Sequence, residues 1–184
     1  MRSLPIDVPA GPRAEILRCV HEEPGIHLRR IERETKLALG QVLYHLDRLE
    51  RMGLLVSSRD AGFRRYFAAH EVARGDKPFV GALRPRIPRA VQLALLEHGP
   101  QTHKALQQRL GLAPSTLSFH LQRLVAANVL VRERAGTANI YALADAEATQ
   151  RALVSYRSSF RDPEVDRYVE ETDPFARRTT PLSM

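Results

Sequence analysis

Apolar positions along the first third of the chain fall first at helical spacing and then at strand spacing. Ile16, Leu17 and Val20 share one face of a stretch that opens with Pro12, so Pro12 to Glu22 is predicted helical. Glu23-Pro24-Gly25 ends it. Leu28 and Ile31 mark a short second helix, roughly His27 to Thr35, and Lys36 to Leu39 turns the chain into a third. From about Gly40, Val42, Leu46 and Leu49 recur at i, i+4 and i+7 and so share a buried face. Gly53 stands where a helix commonly closes on a left-handed residue. Leu54-Leu55-Val56 then reads as a strand start, Asp60-Ala61-Gly62 as a turn and Arg64-Arg65-Tyr66-Phe67 as the returning strand. So short a hairpin needs helices to pack on.

The same pattern is written again. Gly40 to Leu49 recurs as Ser115 to Leu124, 75 residues later. Pro88-Arg89-Ala90 repeats Pro12-Arg13-Ala14, and Val91, Leu95 and Leu96 supply the stripe of a helix ended by Gly99-Pro100. Thr102 caps a second helix carrying Leu106 and Leu110. Pro114-Ser115 opens a third, with Leu117, Leu121 and Leu124 on its buried face. Asn128 takes the place of Gly53, and asparagine is the next best residue for a left-handed cap. Val129-Leu130-Val131, Ala135-Gly136-Thr137 and Asn139-Ile140-Tyr141 form the second hairpin. One supersecondary unit used twice is the economical reading. Aligning the copies calls for a one-residue slip between Pro100 and Thr102 and another near the hairpin tip. Lys36 stands where the second copy has Gly111, so a turn of positive φ there would strain the first copy.

Between the copies, Ala68 to Ile87 has no sustained period and reads as a linker with a short ordered piece around Phe79 to Leu83. After the second copy, Asp145 caps a helix to about Phe160, with Ala148, Leu153 and Tyr156 apolar, and Pro163 to Val169 forms a further short helix. The expected division is 1–74 for the first domain, 75–87 for the linker, 88–144 for the second domain, 145–171 for a C-terminal helical segment and 172–184 for a fraying tail. The fold class is mainly α with short β-hairpin wings, two tandem winged-helix units plus a C-terminal helix. That helix packs back on its own chain or pairs two chains as a homodimer, and the pattern leaves both open.

Composition narrows the function. Of 184 residues, 43% are hydrophobic, which suits a packed core. No apolar run reaches membrane-spanning length, and the first residues do not read as a secretory signal, so a cytoplasmic protein is expected. The single cysteine, Cys19, permits no disulfide within the chain and sits among apolar neighbours as a small hydrophobe. The net charge is +7, and residues 79–143 hold 8 Lys+Arg against 2 Asp+Glu, so a polyanion is the natural partner. There is no glycine-rich phosphate loop, nucleophile elbow or metal-ligand set, so no catalysis, cofactor or metal is expected. His98 and His103 lack a third ligand, and the matched His45 and His120 each precede a core leucine, which favours packing roles.

The string Leu43-Tyr44-His45-Leu46-Asp47-Arg48-Leu49-Glu50-Arg51-Met52-Gly53-Leu54 resembles the recognition helix of ArsR-like winged-helix transcription regulators, and Ser115-Thr116-Leu117-Ser118-Phe119-His120-Leu121 resembles it more closely. Residues 12–170 as a whole are similar to prokaryotic two-domain regulators of that type. The resemblance implies binding of double-stranded DNA in the nucleoid, with residues 40–52 and 115–127 as recognition helices. The metal-sensing branch carries a Cys-x-Cys pair that has no counterpart here.

In a helix-turn-helix the third helix enters the major groove. Its outward face here carries Gly40, Gln41, Tyr44 and Arg48 in one copy, and Ser115, Thr116, Phe119 and Arg123 in the other, with Ser118 alongside. Gln41 can bond adenine bidentately, Ser115 and Thr116 a phosphate or base edge, and the two arginines suit phosphates. Tyr44 and Phe119 either touch thymine methyls or pack on the wing. Arg59, Arg64 and Arg65 flank the first hairpin tip, and Arg132, Arg134 and Asn139 the second, placed for phosphates or a narrow minor groove unless they are only a solvated face. A winged-helix protein-interaction adaptor and a nonspecific, chromatin-like DNA binder are the competing functions.

Overall fold

The computed structural model describes residues 10–60 and 63–172. The first unit runs α1 (Pro12–Glu22), β1 (Ile26–His27), α2 (Leu28–Thr35), α3 (Leu39–Arg51), β2 (Leu55–Asp60) and β3 (Phe63–Ala68). Helix α4 (Lys77–Leu83) follows. The second unit runs α5 (Arg86–His98), β4 (Gln101–Thr102), α6 (His103–Leu110), α7 (Pro114–Ala126), β5 (Leu130–Ala135) and β6 (Ala138–Leu143). Helices α8 (Ala146–Ser155), α9 (Arg157–Phe160) and α10 (Pro163–Thr172) complete the described chain. The fold is mostly helical with two small antiparallel sheets, ordered β1-β3-β2 and β4-β6-β5.

From β1 to the end of β3 every element has its counterpart 75 residues on, including both strands of each hairpin. The slip expected near the hairpin tip is therefore absent, and the one-residue offset between copies lies before β1. At the second tip, Gly136 has φ 60°, the positive first central angle of a type II′ turn, which matches the twist of its strands. The first tip, Ala61-Gly62, and the tail from residue 173 lie outside the described residues.

Local chemistry explains the shared frame. His27 Nδ1 accepts from the backbone N–H of Arg30 and caps α2, and Thr102 Oγ1 does the same for α6 with Ala105. Lys36 and Gly111 close these helices in the left-handed region, at φ 55° and 62°. Glycine adopts that angle freely and lysine does not, so the first copy carries the strain. Gly53 and Asn128 close the third helices at φ 70° and 55°. Two short strands, β1 and β4, have too few residues to show alternation; they add a third strand to each wing by pairing with β3 and β6.

Three cores hold the chain. The first joins Ile16, Val20, Ile31, Val42, Leu46, Leu49 and Tyr66. The second joins Val91, Leu95, Leu106, Leu117, Leu121, Leu124 and Tyr141. The third lies between the units: Phe67, Val80, Leu83, Leu93, Leu153, Phe160, Val165 and Tyr168 meet there. The ordered piece expected around Phe79 to Leu83 is the helix α4, and its Val80 and Leu83 are built into this core. The predicted single helix from 145 to 160 breaks at Tyr156, whose hydroxyl donates to the Glu71 carbonyl at 3.0 Å. Asp145 caps α8 through its Oδ1 and the Ala148 N–H, as expected. The apolar stripes of α8 to α10 are spent on the chain's own α4 and α5.

Arginines fasten this third core. The Arg84 and Arg89 guanidiniums both lie over the Phe160 ring, 4.6 and 5.7 Å from its centre. Arg89 pairs with Asp162 at 2.6 Å and donates to the carbonyls of Leu83 and Arg84. Arg84 donates to the Ser159 carbonyl and hydroxyl. Burial pushes Arg84 down to about 9, which leaves it charged at neutral pH.

Candidate nucleic-acid interface

The helical period separates the two jobs of each third helix. On α3, Val42, Leu46 and Leu49 are buried, whereas Gly40, Gln41, Tyr44 and Arg48 are exposed. On α7, Leu117, Leu121 and Leu124 are buried; Ser115 and Phe119 are exposed, and Thr116, Ser118 and Arg123 are half-buried. Tyr44 at 65% and Phe119 at 53% are among the most exposed large apolar residues described, so neither is packed away on its wing. Each instead sets its ring edge against the following histidine, Tyr44 on His45 and Phe119 on His120, with centroids 5.2 Å apart in both copies. Arg123 lies over the Phe119 ring at 5.3 Å.

Three candidates have duties within the fold. Gln41 Oε1 accepts from the Ala38 N–H at 3.2 Å and so caps its own helix. A bidentate bond from Gln41 to adenine uses the same oxygen together with the Nε2 amide, so cap and base would share its two lone pairs. Ser118 Oγ lies 2.9 Å from His103 Nε2 and ties α7 to the start of α6. Arg64 is exposed but donates to Glu50 Oε2 at 2.8 Å and to Ser57 Oγ at 3.0 Å, which ties the wing to the end of α3.

Arg65 is a correction. It was expected on the wing surface, yet only 5% of it is exposed, and it donates to the Gly25 carbonyl at 2.9 Å. Strand alternation puts Arg65 on the same face of β3 as Phe67, and that face is covered by the third core. The repeat carries the signal: 75 residues on, Arg65 aligns with Ile140, a residue whose character suits an inward position. Arg59 remains exposed on the first wing, as do Arg132, Arg134 and Asn139 on the second. Arg134 and Asn139 face each other across the ladder, and Arg134 also donates to the Gly136 carbonyl at 3.3 Å.

The positive balance of residues 79–143 also changes meaning. Arg84 and Arg89 belong to the third core, with Asp162 of the C-terminal segment beside one of them. The surface of the second unit is correspondingly less basic than its sequence. Leu43 was missed as a surface residue: it is 44% exposed beside Tyr44, and the apolar pattern gave no reason to single it out. Of the histidines weighed for metal, His98 accepts from Arg109 at 2.7 Å and His103 holds Ser118. Among the described residues no three His, Cys, Asp or Glu side chains gather as a metal site.

His27 and His120 sit at the inner margins of the two units. Burial lowers the pKa of each, assisted by Arg65 for His27 and by Arg123 for His120. Each therefore takes up a proton more readily in the unfolded chain. Stability is full above the ordinary value of 6.5 and declines as pH falls below it through the lowered native values. Protonated His27 also loses the acceptor that caps α2. The paired substitution His27→Asn with His120→Gln is expected to flatten this acid loss, read as Tm across about pH 5 to 8. A wild-type Tm that does not fall on acidification would contradict this.

Two units, each a helix-turn-helix with a three-stranded wing, define a tandem winged-helix protein. Residues 11–77 match a family described as an N-terminal helix-turn-helix domain, and residues 93–131 match one described as winged helix-turn-helix DNA-binding. No curated protein matches the chain. The chain thus carries two winged helix-turn-helix DNA-binding domains in tandem, the architecture of a DNA-binding transcription regulator. No described helix is long and apolar enough to cross a membrane.

Proposed function

We propose that the protein is a sequence-specific regulator that reads double-stranded DNA with two different helices on one chain. In this reading α3 and α7 lie in major grooves, with Gln41 and Tyr44 on one and Ser115, Thr116 and Phe119 on the other facing base edges. Arg48, Arg59, Arg123, Arg132 and Arg134 take phosphates, and Arg64 does so while bracing the wing. The observation that carries the proposal is two third helices of equal length, each with three buried apolar residues at matching positions, whose outward faces differ in composition.

Leu153, Phe160, Val165 and Tyr168 of the C-terminal helices are buried in the chain's own third core, which supports one chain as the reading unit over a dimer joined there. Part of the positive charge of residues 79–143 is internal, so charge gives no reason to rank the second copy above the first as a reader. Fluorescence anisotropy with a mixed-sequence duplex tests the first requirement. Binding in about the micromolar range at physiological salt, the level of nonspecific contact, is expected. No binding at a hundredfold higher concentration would favour the adaptor function.

A further inference from the structure

A cavity of about 350 Å³ lies between the two units, and it is not part of the DNA-facing surface as proposed above, although it shares a wall with it. Its lining comes from four places: His27 and Arg65 from the first wing, Ala82 and its neighbours on α4, Pro85 and Pro88 at the start of α5, and Phe119, His120 and Arg123 from α7. The volume is that of a small-molecule site. Its surface is mainly apolar, yet two guanidiniums and two imidazoles border it, with no carboxylate among the described residues that line it. Burial lowers the pKa of both imidazoles, and a neighbouring arginine, Arg65 for His27 and Arg123 for His120, lowers each further.

We propose that this cavity binds a small organic anion, a carboxylate on an aromatic or branched apolar body, and that its occupancy is coupled to DNA binding through α7. The apolar body fills the space beside Ala82 and Phe119, and the carboxylate meets the Arg65 and Arg123 guanidiniums. Phe119 and Arg123 belong to both the cavity wall and the outward face of α7, so an occupant that engages them changes what α7 can offer DNA. The coupling rests on the reading of α7 as a DNA-contacting helix; the binding site does not.

Phenylacetate is a suitable probe, with neutral phenylacetamide as its control. In calorimetry on the full chain without DNA, phenylacetate is expected to bind at least about tenfold tighter than the amide. Nuclear Overhauser effects from its ring protons should reach Ala82 and Phe119. Ala82→Phe, which fills the space from α4, should weaken phenylacetate at least about tenfold and leave DNA affinity in its absence within about twofold. Saturating phenylacetate should change wild-type DNA affinity at least about fivefold and leave that of Ala82→Phe unchanged. Equal affinity for acid and amide, or ring contacts elsewhere, overturns the site even if the Ala82 variant fails to fold. Binding in the cavity with DNA affinity unmoved overturns the coupling. Absence of DNA binding altogether would sink the reading of α7 and leave the calorimetric result standing.

Discussion

Replacing Arg89 with alanine is expected to destabilise the protein by about 3–5 kcal/mol, the range for removing one partner of a buried ion pair. Arg89 is 7% exposed, and its guanidinium does three things at once. It neutralises Asp162, it satisfies the carbonyls of Leu83 and Arg84 at the end of α4, and it covers one side of Phe160. Alanine leaves a half-buried carboxylate and two carbonyls without these donors, and opens space beside an aromatic ring. Because these groups join α4, α5 and the α9–α10 connection, the damage should fall on the third core rather than on either winged unit. Urea unfolding followed by circular dichroism is the check. A single transition in the wild type should shift to lower urea in Arg89→Ala, and the two units should begin to unfold separately. Asp162→Ala supplies the other corner of a double-mutant cycle, in which the two losses should be far from additive. A cost below about 1 kcal/mol would place the pair among ordinary surface ion pairs and remove it from the account.

The second large effect concerns salt. Six arginines, Arg48, Arg59, Arg64, Arg123, Arg132 and Arg134, are proposed at phosphates. Each phosphate neutralised contributes about −0.9 to the slope of log affinity on log salt. The wild type should therefore show a slope near about −5, and lose roughly a thousandfold in affinity between about 50 and 200 mM salt. Removing Arg59, Arg132 and Arg134 together should bring the slope to about −3. These three are the informative set. Arg64 also holds Glu50, and Arg65 is internal, so substituting either one mixes folding with binding. An unchanged slope in the triple variant would remove the wings from the DNA.

The domain frame was legible in the sequence because the code was local and written twice. The buried faces of α3 and α7, the Thr102 and Asp145 caps and the Gly53 and Asn128 closures each depend on residues within one or two turns. What lay between the units was not legible, because it depends on contacts across 70 residues or more: Arg84 with Ser159, Arg89 with Asp162, Tyr156 with Glu71. Nothing in Ala68 to Ile87 announces that its apolar residues will be covered by helices at the other end of the chain. The same gap explains Arg65. An arginine beside a predicted hairpin tip reads as surface, and only the third core covering that face of β3 makes it internal. Most candidate residues, Tyr44, Arg59 and Phe119 among them, are exposed as local pattern suggests, whereas Arg65 was chosen on a charge that the fold uses internally.

The central claim is that one chain carries two different readers. A binding selection from random duplex DNA with the full chain tests it most directly. The account predicts a preferred sequence that is asymmetric, with two dissimilar half-sites, bound at least about a thousandfold more tightly than bulk DNA. A palindromic preference, or equal affinity for every duplex, would contradict it.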